Sequence, residues 1–487
     1  MQDAHRLRVL FVVSELAPWV KTGGLGEVAA TLPAALRALG VDVRVLVPGY
    51  PAVLHALPHA GAAADFPHLG GVLPRALLRA AETPAGIPLF VVECPQLYTR
   101  PGGLYQDNNG VDWPDNHLRF GLLSRVAAAI ASGVDEIGWR PAIVHCHDWQ
   151  TGLAPAYLHY HAPHAARTVC SIHNVAYQGV FPPRTLQELG LPPQAFAING
   201  VEYHGKLSFL KAGIQYADRL TTVSPTYARE IQTEAFGFGL DGLLRSRADV
   251  LCGILNGIDT RRWNPATDDY LVQRYDGSCV ESKVANKSAL QRRVRLPVTD
   301  DVPLLGVLSR FTHQKGLDLL LDVAQKVIRQ PAQIVVLGEG EKALAAKFMA
   351  LARAHRERCA AVIRFDEPLA HLIEAGADIF VMPSRYEPCG LNQMYSLRYG
   401  TPPVVRATGG LADTVVDCNE RTVQEGTANG FVFEEPTPAA LLKALDRAVT
   451  TWRDRVAWRR LQRNGMRMDF GWEASALRYR DLYRALI

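Results

Sequence analysis

What this 487-residue chain lacks narrows it first. No apolar run approaches the ~20 residues that cross a bilayer as a helix, so no membrane span and no membrane partner are expected. The early run VLFVV is cut off by Ser14 and Glu15, too soon for the apolar core of a signal peptide. The eight cysteines, Cys94, Cys146, Cys170, Cys252, Cys279, Cys359, Cys389 and Cys418, form no CxxC pair and no other metal-ligand spacing. They read as free thiols in a reducing compartment, and a cytoplasmic protein is expected. An excess of one charge is also missing. Lys and Arg number 52 against 48 Asp and Glu, a net charge of +4, and the basic residues are scattered rather than massed. No nucleic-acid footprint is present. Internal repeats of solenoid length and low-complexity tracts are absent as well.

What remains is an ordinary globular composition, 48% apolar and 21% charged, in a chain long enough for two large domains. Short β-branched runs, VLFVV, VRVLV, LFVVE, AIVHC, TVCSIH and LTTVS, alternate with helix-period stretches such as EVAATLPAALRALG. That alternation marks an α/β fold with a mainly parallel, doubly wound sheet. After about residue 250 the pattern restarts with PLLGVLSR, QIVVLG, AVIRF, DIFVMPS and TPPVVR, which predicts two Rossmann-like units in tandem. The stretch 256–301 is poor in apolar runs and reads as the crossing plus a helical insertion, with a hinge near 250–260. The expected division is therefore 1–250, 251–463, and a final helical segment 464–487 that packs back on the first domain.

In open α/β sheets ligands bind at the carboxyl ends of strands, so the strand-to-helix turns are the candidates. KTGGLGEV offers Gly23 and Gly24 for close backbone approach to an anion and Lys21 as a mobile charge, or else is a glycine-rich turn with a solvated lysine. SRFTHQKG places Arg310 and Lys315 on one loop, where they can neutralise a diphosphate or simply face water. In SRYEPCGLNQ, Glu387 precedes Gly390 and a helix beginning near Leu391; its carboxylate can grip ligand hydroxyls or cap the helix. ATGGLADTV repeats the glycine theme. In VHCHDW, His145 and His147 share a strand face and invite a metal, but no carboxylate-histidine cluster completes such a site, so none is expected. SIHNVAYQG adds His173 and Asn174, polar groups suited to a sugar. LGEGEKA satisfies a dinucleotide fingerprint through Gly338, Gly340 and Ala343, with Asp366 following. It lies in the second half rather than at the start of a unit, and the dehydrogenase reading is set aside.

Taken in order, KTGGLGEV, HCHDWQTGLAPAYL, HNVAYQG, KAGIQYAD, VSPTYAREI, LNGID, SRFTHQKGLD, PSRYEPCGLNQMYSLRYGT and ATGGLADTV closely resemble the bacterial glycogen synthases and plant starch synthases over nearly the whole chain. Those are retaining glucosyltransferases of GT-B fold. The resemblance implies two Rossmann-like domains facing a deep interdomain cleft, ADP-glucose as donor, an α-1,4-glucan such as glycogen as acceptor, and neither metal nor cofactor. It implies that Lys21, Gly23 and Gly24 reach the nucleotide sugar, that Arg310 and Lys315 clamp its diphosphate, and that Glu387 holds the donor glucose beside the amides of Gly390 and Leu391. Asp148, His173 and Asn174 match sugar-facing positions, and Tyr98 an aromatic near donor and acceptor. Where relatives commonly carry Asp, this chain has Glu27, a change that bears on acceptor contacts. A UDP-glucose-dependent or sucrose-type transferase and a catalytically silent glucan-binding protein are the alternatives.

Overall fold

Two sheets, one mainly and one wholly parallel, organise the chain, and the computed structural model describes residues 6–487 of it. One compact unit ends at Gly257 and takes up Trp472–Ile487; the other is Ile258–Gly471.

The first unit is built on nine strands in the order Leu251–Gly253, Arg219–Thr222, Arg167–Ile172, Ile143–His147, Arg8–Val12, Asp42–Pro48, Pro88–Glu93, Ala76–Glu82 and Gly61–Phe66. The first seven run parallel, and the last two close the edge antiparallel. Strand order therefore departs in opposite directions from Arg8–Val12, which pairs with Asp42–Pro48 on one side and Ile143–His147 on the other. Ile143–His147 is buried at every residue, as expected for a parallel strand covered on both faces. The terminal helix Trp472–Arg484 packs on the helix Gly24–Ala38, and its Tyr483 hydroxyl lies 2.7 Å from His145 Nδ1.

The edge hairpin Gly61–Phe66 and Ala76–Glu82 has no strand signature in the sequence. GAAADF and ALLRAAE contain no β-branched residue, and pairing of ALLRAAE with Pro88–Glu93 overrides their weak strand propensity. A small antiparallel sheet of Val180–Phe181, Lys206–Ser208 and Glu202–Tyr203 is likewise too short to leave a periodic signal.

The second unit has six strands, all parallel, in the order Cys359–Ile363, Gln333–Gly338, Leu304–Leu308, Ile379–Met382, Pro403–Arg406 and Phe431–Phe433. In chain order this is 3-2-1-4-5-6, the doubly wound arrangement, with its reversal between Leu304–Leu308 and Ile379–Met382. The helix Leu317–Arg329 shows why it forms. Leu317, Leu320, Ala324, Val327 and Ile328 fall at helical spacing and are buried in the core, while Lys326 and Arg329 sit at the negative end. Truncating Leu320 to Ala would cost about 2–5 kcal/mol. Among the described residues no helix is long and apolar enough to cross a membrane.

Candidate functional site

At the reversal of the second sheet, two strand-end loops are stapled together. The Arg385 amide donates to the Gln314 carbonyl at 2.8 Å, Gln314 Nε2 donates to the Tyr386 carbonyl at 3.2 Å, and the Arg385 guanidinium grips the Asp318 carboxylate at 2.7 and 2.6 Å. Gly316 makes the approach possible. Its φ is +62°, and a side chain there would meet the Pro383 carbonyl oxygen at 2.0 Å. The staple brings Lys315 Nζ to 2.5 Å from Glu387 Oε2, an oxygen that also accepts from Ser384 Oγ at 3.0 Å. Glu387 is 5% exposed, so a carboxylate is held at a strand end by one cation and one hydroxyl. Arg310, on the same loop as Lys315, is exposed. Among the described residues its side chain has no hydrogen-bond or ion-pair partner.

The remaining glycine turns support this loop pair. The Gly410 amide lies within hydrogen-bonding distance of the Glu387 and Pro388 carbonyls, at 3.2 and 3.1 Å. Asn392 Nδ2 donates to the Leu308 carbonyl at 2.7 Å, tying the helix that follows Gly390 and Leu391 to the strand that precedes Arg310. Gly338 and Gly340 pack beneath Ser309 and Phe311; the Phe311 amide donates to the Glu339 carbonyl and the Glu341 amide to the Phe311 carbonyl. The dinucleotide-like spacing is thus a seat for the Arg310 loop.

The corresponding ends of the first sheet carry a different set. Asp148 follows Ile143–His147 in a left-handed conformation, φ 56°, rare for a non-glycine residue and a mark of a constrained position. Its Oδ1 accepts from the amides of His173 at 2.6 Å and Asn174 at 3.2 Å, joining two strand-end loops. Burial pushes its carboxyl up to about 7, against the two amides that favour the charged form. His147 Nδ1 lies 2.9 Å from His173 Nε2. Burial lowers all three imidazoles, His145 to about 3, His173 to about 4 and His147 well below its ordinary value, so they are neutral at pH 7. His145 spends both nitrogens, on the Tyr483 hydroxyl and on Ser171 Oγ, each at 2.7 Å. Among the described residues no group of three His, Cys, Asp or Glu side chains could hold a metal ion.

In the loop after Arg8–Val12, Lys21 Nζ lies 2.7 Å from Glu27 Oε1, one turn into the helix that Gly23 caps and Gly24 begins. Glu27 therefore turns its extra length toward Lys21. Glu15, in sequence no more than a polar interruption after VLFVV, organises the loop. It is 3% exposed and accepts from the Thr22 amide at 2.8 Å, Thr22 Oγ1 at 2.6 Å and the Tyr105 hydroxyl at 2.7 Å. The sequence carries no signal of that role, only a lone carboxylate after Val13 and Ser14. Tyr98 needs correction. It is 1% exposed, and its hydroxyl donates to the Arg119 carbonyl at 2.7 Å, so its ring belongs to the core and its polar atom is already used.

Comparison with known proteins adds to this geometry. Residues 8–246 match the model of the starch synthase catalytic domain, and residues 290–464 that of glycosyl transferases group 1. The glycogen synthase of Aromatoleum aromaticum is 56% identical over 485 residues, covering 100% of this chain and 98% of the relative. That of Dechloromonas aromatica is 56% identical over 481 residues, covering 99% of each. Among solved structures, the catalytic domain of starch synthase IV from Arabidopsis thaliana, bound to ADP and acarbose, is similar with a TM-score of 0.87 and 31% identity over 99% of each chain. Sucrose-phosphate synthase from Thermosynechococcus elongatus, at TM-score 0.61 and 19% identity over 99% of each chain, shares the fold.

Proposed function

The chain belongs to the starch and glycogen synthase family of retaining GT-B hexosyltransferases, and from that premise we propose that it transfers glucose from ADP-glucose to the non-reducing end of an α-1,4-glucan. The observation that carries the reading is the pairing of Lys315 with the buried Glu387 at the sheet reversal of the second unit, with an unpartnered Arg310 on the same loop. A diphosphate and a sugar hydroxyl are the complementary ligand: guanidinium and ammonium for the phosphates, carboxylate for the hydroxyl.

In this reading the bond from the anomeric carbon to the diphosphate oxygen breaks as the acceptor 4-hydroxyl oxygen approaches the same face. The acceptor proton passes to the departing phosphate oxygen. Arg310 and Lys315, with the amides of Gly390 and Leu391, neutralise charge that grows only as the bond breaks, which accelerates the step rather than tightening the ground state. Glu387 orients the donor glucose. Lys21, Gly23 and Gly24 are assigned to the nucleotide sugar. Asp148 holds the loop of His173 and Asn174 in place, and the His173 carbonyl is assigned to support of the cationic sugar. A protein that only bound glucan would have no use for the unpaired cation at Arg310. The same reading makes the protein a cytoplasmic, metal-independent enzyme.

The test is donor competition: transfer of labelled glucose to a maltooligosaccharide from ADP-glucose and UDP-glucose together, in excess chelator. ADP-glucose is expected to be the preferred donor, with chelator without effect. Preference for UDP-glucose would overturn the donor assignment, and transfer from neither would overturn the reading.

A further inference from the structure

We propose that a second anion site lies in the Ile258–Gly471 unit, in a cavity of about 360 Å³ lined by Arg398, Arg463 and Arg467, and that it takes a small phosphate-bearing molecule. Three segments form its walls. Arg398 is the last residue of the helix Asn392–Arg398; Arg463, Met466 and Arg467 come from the end of the helix Arg455–Arg467; Asn264, Pro265 and the turn Asp276, Gly277 and Ser278 complete it.

The case rests on unmet hydrogen-bonding capacity. Arg398 Nε is buried and has no acceptor. Among the described residues neither the Arg398 nor the Arg467 side chain has a hydrogen-bond or ion-pair partner. Arg463 is only partly used, donating from Nε to the Gly277 carbonyl at 3.2 Å and from its terminal nitrogen to Glu281 Oε1 at 3.3 Å. Asp276 is the one carboxylate of the lining, and its Oδ1 is occupied by the Ser278 amide at 2.8 Å and Ser278 Oγ at 2.6 Å. Three guanidiniums stand against Asp276 in the lining and Glu281 beside Arg463, which leaves the cavity cationic by one charge.

A plainer account is available for two of the arginines. Both Arg398 and Arg467 end helices, where a cation complements the exposed carbonyls. That explains a basic residue at each position, but not why three guanidiniums converge on one cavity, two of them without an acceptor among the described residues. Several planar forks around one cavity suit the tetrahedral oxygens of a phosphate, and the volume leaves room for a small organic body beside it. The site is separate from the loop of Glu387. It lies at the far end of a seven-residue helix from Gly390 and Leu391, about 10 Å of helical rise.

Calorimetric titration of the full-length chain, saturated with ADP so that the donor loops are filled, tests the proposal. Inorganic phosphate and glycerol 3-phosphate are the probes. Saturable one-to-one binding is expected for the wild type and a loss of about a hundredfold in affinity for the Arg398→Gln/Arg467→Gln double variant. Tighter binding of the ester assigns the cavity to a phosphate ester, and equal binding assigns it to phosphate alone. The double variant loses only the favourable charge at two helix ends and should stay folded with a slightly lower melting temperature; Arg467→Gln alone, at an exposed residue, repeats the measurement if it does not. No saturable binding of either probe, or unchanged affinity in the variants, overturns the proposal.

Discussion

In the Ile258–Gly471 unit, the loops that leave the reversal of the sheet carry Arg310, Lys315 and Glu387, and the exposed Arg310 guanidinium has no partner among the described residues. In the unit that begins the chain, the equivalent loops carry Glu15 and Asp148, with neutral His173 on the next strand end. Strand order around the first strand of each sheet is the same, so the topology selects the place of binding and the side chains select the ligand. In the proposed reading one reversal is furnished for an anion whose charge grows during reaction. The other carries Lys21 already paired with Glu27, a hydrogen-bonded Asp148 and neutral imidazoles, which in the proposed reading serve the sugar hydroxyls while Lys21 and its glycines reach the donor.

The largest effect expected from breaking this contrast is at Arg310. Arg310→Ala should lower kcat by about a thousandfold, as for loss of a charged group that stabilises a leaving oxyanion, with an unchanged melting temperature because the side chain is exposed and unpaired. Steady-state kinetics and thermal unfolding check both halves. Lys315→Ala should cost about a hundredfold or more in turnover but also destabilise its unit by about 2–4 kcal/mol, because Glu387 would keep a buried charge without its cation. Lys315→Ala/Glu387→Gln should recover most of that stability in urea unfolding and none of the activity. An unchanged urea midpoint in Lys315→Ala alone would show that the pair is not coupled as its 2.5 Å separation implies.

A smaller effect separates the other reversal. The Asp148 carboxyl titrates near 3.8 when unfolded and near 7 in the fold, so its contribution to stability is full below about pH 3.8 and is lost as pH rises through 7. Asp148→Asn removes that loss and keeps an oxygen for the two amides. Urea unfolding should therefore find the variant equal to the wild type near pH 3 and more stable by up to about 4 kcal/mol at pH 8, while turnover falls. The smallest effect is expected at Tyr98. Tyr98→Phe should cost about 1–2 kcal/mol through the unpaired Arg119 carbonyl and change glucan KM less than about twofold. A large rise in KM would return Tyr98 to the acceptor site.

Much of this contrast is legible in the amino-acid sequence. The strand-end turns around Arg310, Lys315, Glu387 and Asp148 stand out because each follows a β-branched run, and a parallel sheet delivers such ends to its binding edge. Their partnerships are not legible there. Lys315 and Glu387 are far apart along the chain, and their meeting depends on a glycine approach at Pro383 and an arginine staple to Asp318 that no periodicity encodes. Tyr98 differs from expectation for a related reason: a motif gives a residue's position along the chain, whereas burial depends on Arg119 from another helix. Glu15 leaves no trace because a single carboxylate has no pattern of its own; only its three bonds reveal it. The edge hairpin is equally silent, since alanine-rich strands owe their existence to a neighbour.

Equilibrium binding of ADP and of maltoheptaose to Arg310→Ala, beside the wild type, tests the division of labour most directly. The account predicts that ADP affinity falls about a hundredfold or more while maltoheptaose affinity is unchanged. Undiminished ADP binding, or equal loss of both ligands, would contradict it.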